Sequence, residues 1–300
     1  MRQLDFLLTQ KEDGRRVGRL VTSLCGVSSG MYAKLKAQNA ILLDGQPAHA
    51  DVRARAGQRL TIMLPEEAKE ENSVQTASVN LSICYRDDDF IIIDKPAPLP
   101  TMRSPHQSGA SLDEYVKEYL GEFRPVNRLD KGTSGLMVIA RSAYAQSRLQ
   151  SILHTDDFIR EYMAVIDGVI MDESGVIDLP IGRNTEGVRR VITENGKESV
   201  TEYWKIKSGS RRTLVRLRLQ TGRTHQIRVH MAAMGHPVTG DYLYGSACAE
   251  LPGRFALHST FLSLLNPITN KRIECESKPP EIFEDLIESS KESNGIENEF

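Results

Sequence analysis

Arg124-Pro-Val-Asn-Arg-Leu-Asp-Lys-Gly-Thr-Ser-Gly-Leu-Met-Val-Ile-Ala140 joins two unlike halves. The first, up to Gly135, is short and rich in turn-formers. The second, Gly135 to Ala140, is an unbroken apolar run of the kind that fills a strand buried on both faces. A loop feeding such a strand lies at the mouth of a sheet, where a carboxylate can face a cleft while its neighbours anchor the backbone. Asp130 is that carboxylate. Aspartate also caps and turns loops, so Asp130 alone fixes no chemistry.

Outward from this loop the elements are mixed. Phe90-Ile-Ile-Ile-Asp-Lys-Pro96 reads as a short buried strand stopped by proline. Ser111-Leu-Asp-Glu114 is a capping box ahead of the helical stripe Leu112, Tyr115, Val116, Tyr119 and Leu120. An amphipathic helix is expected through Leu153, and a strand over 159–170. Val215, Leu217 and Leu219 alternate with Arg216, Arg218 and Gln220, a half-buried strand with a basic outer face. Thr224 is expected to cap a helix that turns Ile227, Met231 and Met234 inward and ends at Gly235. Strands and helices follow one another without regular βαβ alternation, which makes the class α+β.

Residues 65–80 are polar and acidic without an apolar period, as a linker is. The chain is therefore divided into residues 1–64, a linker over 65–80, a main domain over 81–280 and an acidic tail over 281–300. That tail opens with a helical turn and then reads as disordered. The net charge of −2 conceals this division. Residues 1–64 carry ten Lys/Arg against five Asp/Glu, residues 183–230 twelve against four, and the last twenty residues seven acids and one lysine. Regional charge, not the total, attracts phosphate.

Composition narrows the class further. Hydrophobic residues make up 40% of the chain, and no run approaches the ~18 apolar residues of a spanning helix. Cys25, Cys84, Cys248 and Cys275 form no Cys-x-x-Cys pair, so neither zinc nor disulfides are expected. Met1-Arg-Gln-Leu-Asp-Phe6 shows no secretory signal, which points to the cytoplasm. No phosphate- or dinucleotide-binding glycine motif is present; neither cofactor nor metal is expected. A monomer is the default.

Within residues 1–64, Val17, Leu20, Val21 and Leu24 share a helical face closed by Gly26, and Ser28 can cap a second helix. A strand from Ala40, a turn at Asp44-Gly45 and a strand from Leu60 follow. Over roughly 15–64 this order resembles the S4 RNA-binding module. The resemblance implies that Lys34 and Lys36 reach an RNA backbone, with Arg53, Arg55 and Arg59 following. Read as residues alone, they leave open a small α/β domain with lysines facing water.

Three segments carry the chemistry: Asn127-Arg-Leu-Asp-Lys-Gly-Thr-Ser-Gly135, Arg160-Glu-Tyr162, and Gly222-Arg-Thr-His-Gln-Ile-Arg-Val-His230. In this order and spacing they resemble the RluA family of pseudouridine synthases. Asp94-Lys-Pro96, Gly235-His-Pro-Val-Thr-Gly-Asp-Tyr-Leu-Tyr-Gly245 and Leu257-His-Ser259 agree with it, over about residues 81–280. One departure is Asn127, where the family usually has His.

The resemblance implies that Asp130 is the nucleophile, Tyr162 the ring under the target base and Arg228 the cation paired with Asp130. Arg128 would fill the gap left by the extruded nucleotide, and Arg223 would contact RNA. The partner implied is RNA, with 23S ribosomal RNA ahead of tRNA. Two other readings remain: a catalytically silent RNA-binding protein, and a metal-dependent hydrolase built on Asp130, His225, His230 and Asp241. The second is weakened because His225 and His230 are five apart, not the four that aligns two ligands on a helix face.

Overall fold

The computed structural model describes residues 2–64, 81–103, 109–184 and 189–288. Two bodies of secondary structure are built on separate sheets, and the architecture is α+β.

The N-terminal body runs β1 (Arg2–Leu7), α1 (Val17–Ser23), α2 (Ser29–Ala37), β2 (Ile41–Leu43), β3 (Gln46–Pro47) and β4 (Arg59–Leu64). Its sheet has the order β1-β4-β2-β3. Val17, Leu20, Val21, Leu35, Leu60 and Ile62 are buried in one core. The Ser28 hydroxyl accepts the Met31 N–H at 3.3 Å, as a helix cap should. Asp44 and Gly45 both take positive φ at the expected turn. Strand β1 had no sequence signal. It is an edge strand whose inward residues, Leu4 and Phe6, are only half-buried, and Leu7 faces solvent at 70% exposure.

The main body continues with β5 (Ser82–Arg86), β6 (Phe90–Lys95), α3 (Leu112–Leu120), β7 (Ser134–Ala140), α4 (Ala143–Ile152) and β8 (Phe158–Asp167). Then come β9 (Ser174–Asp178), β10 (Ile181–Arg183), β11 (Arg190–Ile192), β12 (Val200–Ser208) and β13 (Arg212–Leu219). It closes with α5 (Gln226–Ala233), β14 (Leu257–Leu265), β15 (Arg272–Glu276) and α6 (Ile282–Glu288). The sheet order is β5-β6-β7-β14-β8-β13-β12-β9, with β15 on β14. Strands β7 and β14 pair in parallel and the other pairs are antiparallel. Strand β10 pairs with β11 in a separate ribbon.

The two bodies touch through α4. Tyr144 lies in the N-terminal core and donates its hydroxyl to the Cys25 carbonyl at 2.9 Å. Arg2 pairs with Asp89, which is buried at the start of β6.

Two sequence expectations need correction. Helix α5 is capped by His225 in a left-handed conformation (φ 60°), not by Thr224, and no side-chain cap bond forms. The tail from Glu281 opens helically, as expected, but this helix, α6, belongs to the main body: its Phe283, Leu286 and Ile287 are buried against Val165, Leu214 and Ala256. Its acids face solvent, two of them toward Lys207 at 3.0 and 3.3 Å; this acidic outer face masked an apolar inner one. The main body thus reaches at least Glu288. The expected linker over 65–80 and the rest of the tail, 289–300, lie outside the described residues.

Candidate active site

The loop of Asp130 is fastened from both sides. Val126 N–H donates to the Val138 carbonyl at 2.9 Å, and the Asn127 Oδ1 accepts the Val138 N–H at 2.9 Å. Thr101 donates its hydroxyl to the Leu129 carbonyl at 2.6 Å, and Leu99 N–H to the Lys131 carbonyl at 3.0 Å. Carbonyls on both sides of Asp130 are thus pinned. At the loop's end Gly135 has φ 107°, and a Cβ there would lie 2.3 Å from the Ser259 carbonyl oxygen. Only glycine permits β7 to approach β14 so closely.

Below the loop, Lys95 is fully buried and donates to the carbonyls of Pro96 and Leu99 at 2.9 and 2.7 Å. Burial lowers its amine to about 7, against the opposing pull of Asp130.

Asp130 projects into a cleft of about 590 Å³ that Tyr162, Arg228, Arg128 and Arg223 also line. Tyr162 sits on the inner face of β8, 5% exposed, and burial pushes its phenol up. Across the cleft α5 carries Arg228, which donates from Nη1 to Asp130 Oδ2 at 2.8 Å. Its Nε and Nη2 bind Asp241 at 2.6 and 2.9 Å. Phe255 lies against the guanidinium with its centroid 4.2 Å away, and Tyr244 at 5.0 Å. Burial works against this cation, but Asp241 and Asp130 outweigh it and hold it above an ordinary arginine.

The arrangement suits a reaction that needs an ionised carboxylate beside a flat, apolar face. The metal alternative rests on Asp130, His225, His230 and Asp241. Among the described residues no cluster of three His, Cys, Asp or Glu is placed to hold one. His230 points away, between the Thr201 hydroxyl and the Leu179 carbonyl at 2.9 and 3.0 Å.

Comparison with known proteins decides the class. Residues 89–233 match the family described as RNA pseudouridylate synthase. An RNA pseudouridine synthase of Bacillus subtilis, YjbO, is 33% identical over 270 residues, covering 87% of this chain and 95% of the relative. The chain belongs to the RNA pseudouridine synthase family. As a pseudouridine synthase it is an isomerase acting on RNA. The Ribosomal large subunit pseudouridine synthase D of Haemophilus ducreyi is 37% identical over 254 residues, 77% of each chain. Human RNA Pseudouridylate Synthase Domain Containing 1 superposes with a TM-score of 0.56 at 30% identity, over 67% of this chain and 84% of that one.

Of the residues singled out from sequence, the pseudouridine synthase cleft gathers Asp130, Tyr162, Arg228, Arg128 and Arg223. Arg128 is exposed at its rim, and Arg223 is half-buried with Nε on the Glu198 carbonyl at 3.0 Å. Lys34 and Lys36 are exposed on α2, outside the cleft. Three residues of the synthase site had no role in the sequence reading: Lys95, Asp241 as the partner of Arg228, and Phe255 beside the guanidinium. The lysine and Asp241 lay within stretches that matched the family. What a sequence could not give is their convergence, since Asp241 is thirteen residues from Arg228 and Lys95 lies under a loop thirty-five residues away.

Proposed function

We propose that the enzyme isomerises uridine in large-subunit ribosomal RNA with Asp130 as nucleophile. The observation that carries this is the pairing of the Asp130 carboxylate, 27% exposed in the cleft, with a buried Arg228 that Asp241 already orients. A carboxylate that accepts an N–H from a fixed guanidinium is held in one orientation, and a carboxylate so aimed can attack a sugar carbon.

The target nucleotide must leave its helix at a cost of a few kcal/mol. Stacking of the uracil on Tyr162 returns about 1–3 kcal/mol, and Arg128 at the rim occupies the vacated stack. Asp130 then adds to C1′ as the N1–C1′ bond breaks, or removes the 2′ proton to leave a glycal. The freed uracil anion turns and bonds through C5 to C1′ as the Asp130–C1′ ester breaks, or, on the glycal, as C2′ regains its proton from Asp130. Loss of the C5 proton restores the aromatic ring, so no oxidant or reductant is consumed. Ribosomal RNA is favoured because relatives such as that of Haemophilus ducreyi are named large-subunit synthases.

The test is tritium release from RNA carrying [5-³H]uridine. Release by the wild type that vanishes in Asp130→Asn, with RNA binding kept, supports the assignment. Substantial turnover in the mutant sinks it, and release from tRNA alone moves the substrate.

A further inference from the structure

Strand β8 carries a cation where its neighbours carry core. Phe158, Arg160, Tyr162, Ala164 and Ile166 alternate onto one face of the strand, and all five are buried. Phe158 belongs to one apolar cluster and Tyr162 to another, with Arg160 between them. Arg160 is 4% exposed. Its Nη2 donates to the Leu153 carbonyl at 3.2 Å, its guanidinium lies 5.7 Å from the Phe158 ring, and its Nε is buried with no hydrogen-bond partner. Among the described residues no carboxylate is paired with it.

Arg228 makes the contrast. It lines the same cleft, is equally buried, and has two carboxylates. A buried charge without a counter-charge is costly, and the other charge acting on the neighbouring His154 ring is a second cation, Arg223. His154 and Arg223 stand near enough that burial and these two arginines together hold the imidazole below its ordinary range. Gly222 lies between them, exposed to the cleft. A Cβ there would come 3.0 Å from His154 Cε1 and 3.1 Å from Arg160 Nη1. The missing side chain leaves the guanidinium open to the cleft.

We propose that Arg160, flanked by Arg223 and His154, is a phosphate site that receives the phosphodiester beside the nucleotide whose base lies on Tyr162. It rests on the reading of Tyr162 as the platform for the base. Two residues of strand separate Arg160 from Tyr162 by about 7 Å, a span suited to a base and the backbone of its own nucleotide. A guanidinium fork matches a phosphate's oxygens, and the anion supplies the counter-charge that the protein withholds.

The experiment measures binding of the full-length protein to an unmodified large-subunit rRNA transcript across a salt series, alongside tritium release. Arg160→Met and Gly222→Ala should each lower the slope of log Kd against log[salt] by about 0.7–0.9, the value of one phosphate contact. The double variant should fall no further, and Arg160→Lys should keep the wild-type slope. The Tm of Arg160→Met should hold or rise, because methionine fits an apolar position; a purely structural arginine would lower it. An unchanged slope in Arg160→Met, or in Gly222→Ala should the first variant fail to fold, overturns the site. Wild-type binding without tritium release counts against the catalytic reading, while the slopes still decide the phosphate site. Absence of salt-dependent binding by the wild type overturns both.

Discussion

Arg228 gives two of its nitrogens, Nε and Nη2, to Asp241 and only Nη1 to Asp130. Asp241 is fully buried and also accepts the Leu243 and Tyr244 N–H groups at 3.0 and 3.3 Å. A fork held at two points and sandwiched by Phe255 has little freedom left. Asp241 thus neutralises and aims the cation, and Asp130 meets an N–H already pointed at it. The two carboxylates share a partner and differ in role.

Their variants should therefore separate stability from chemistry. Asp241→Ala leaves a buried arginine without its bidentate partner, and removing one member of such a pair costs about 3–5 kcal/mol. Asp130 is partly solvated, so Asp130→Asn should cost under about 1 kcal/mol while abolishing turnover. Urea unfolding of both proteins checks this. Equal midpoints would mean that Asp241 is not the structural partner.

Asn127 should act through the loop. Its Oδ1 replaces a backbone acceptor for Val138, three residues before Asp130 in the chain. Asn127→Ala leaves that buried N–H unpaired, a loss of about 1–3 kcal/mol, and lets the loop shift. The expected signature is a lower kcat with little change in KM, since Tyr162 on β8, the proposed base platform, is untouched. Asn127→His, which can still present a ring nitrogen as acceptor, should recover most of the kcat. A raised KM with unchanged kcat would place Asn127 on the RNA instead.

How much of this could be read beforehand depended on range. That Asp130, Tyr162 and Arg228 come together was legible because each sits in a short segment of the family pattern, and one cleft gathers them. Gly135 closes the first of these segments, where the Ser259 carbonyl excludes any Cβ. Strand β7 was legible because an apolar run from Leu136 to Ala140 admits few other placements. The order β7-β14-β8 was not, since it joins residues between 93 and 124 positions apart by hydrogen bonds that leave no trace in spacing. Helix α5 was placed correctly, but its cap was not. The left-handed His225 spends its ring on Tyr244 at 2.9 Å instead of on a backbone N–H.

Lys95 gives a pH prediction. Its amine titrates near 7 in the fold because burial disfavours the charge, against about 10.4 when unfolded. Between those values the unfolded chain binds the proton and the folded one does not, so this residue makes stability rise with pH. Its burial is least favourable below pH 7, where the folded amine is charged too. Relative to Lys95→Met, the wild type should gain roughly 1 kcal/mol per pH unit between pH 7.5 and 9. Denaturant midpoints of both proteins across that range measure it. A constant difference would mean the amine stays protonated in the fold.

The N-terminal body supplies the last test. Lys34 and Lys36 are exposed on α2 on either side of the buried Leu35, so their charges contribute nothing to the core. Lys34→Gln combined with Lys36→Gln should leave stability within about 0.5 kcal/mol, as surface changes do. If both lysines meet phosphates, the salt slope of RNA binding should fall by about 1.4–1.8, two contacts' worth. Deleting residues 1–64 is a poorer probe, because it would also uncover Tyr144 and strip Arg2 from the buried Asp89. Turnover at saturating RNA should stay near the wild-type rate, since neither lysine lines the cleft. A slope unchanged in the double variant would mean that α2 does not touch the substrate, and RNA recognition would then fall to the rim of the cleft alone.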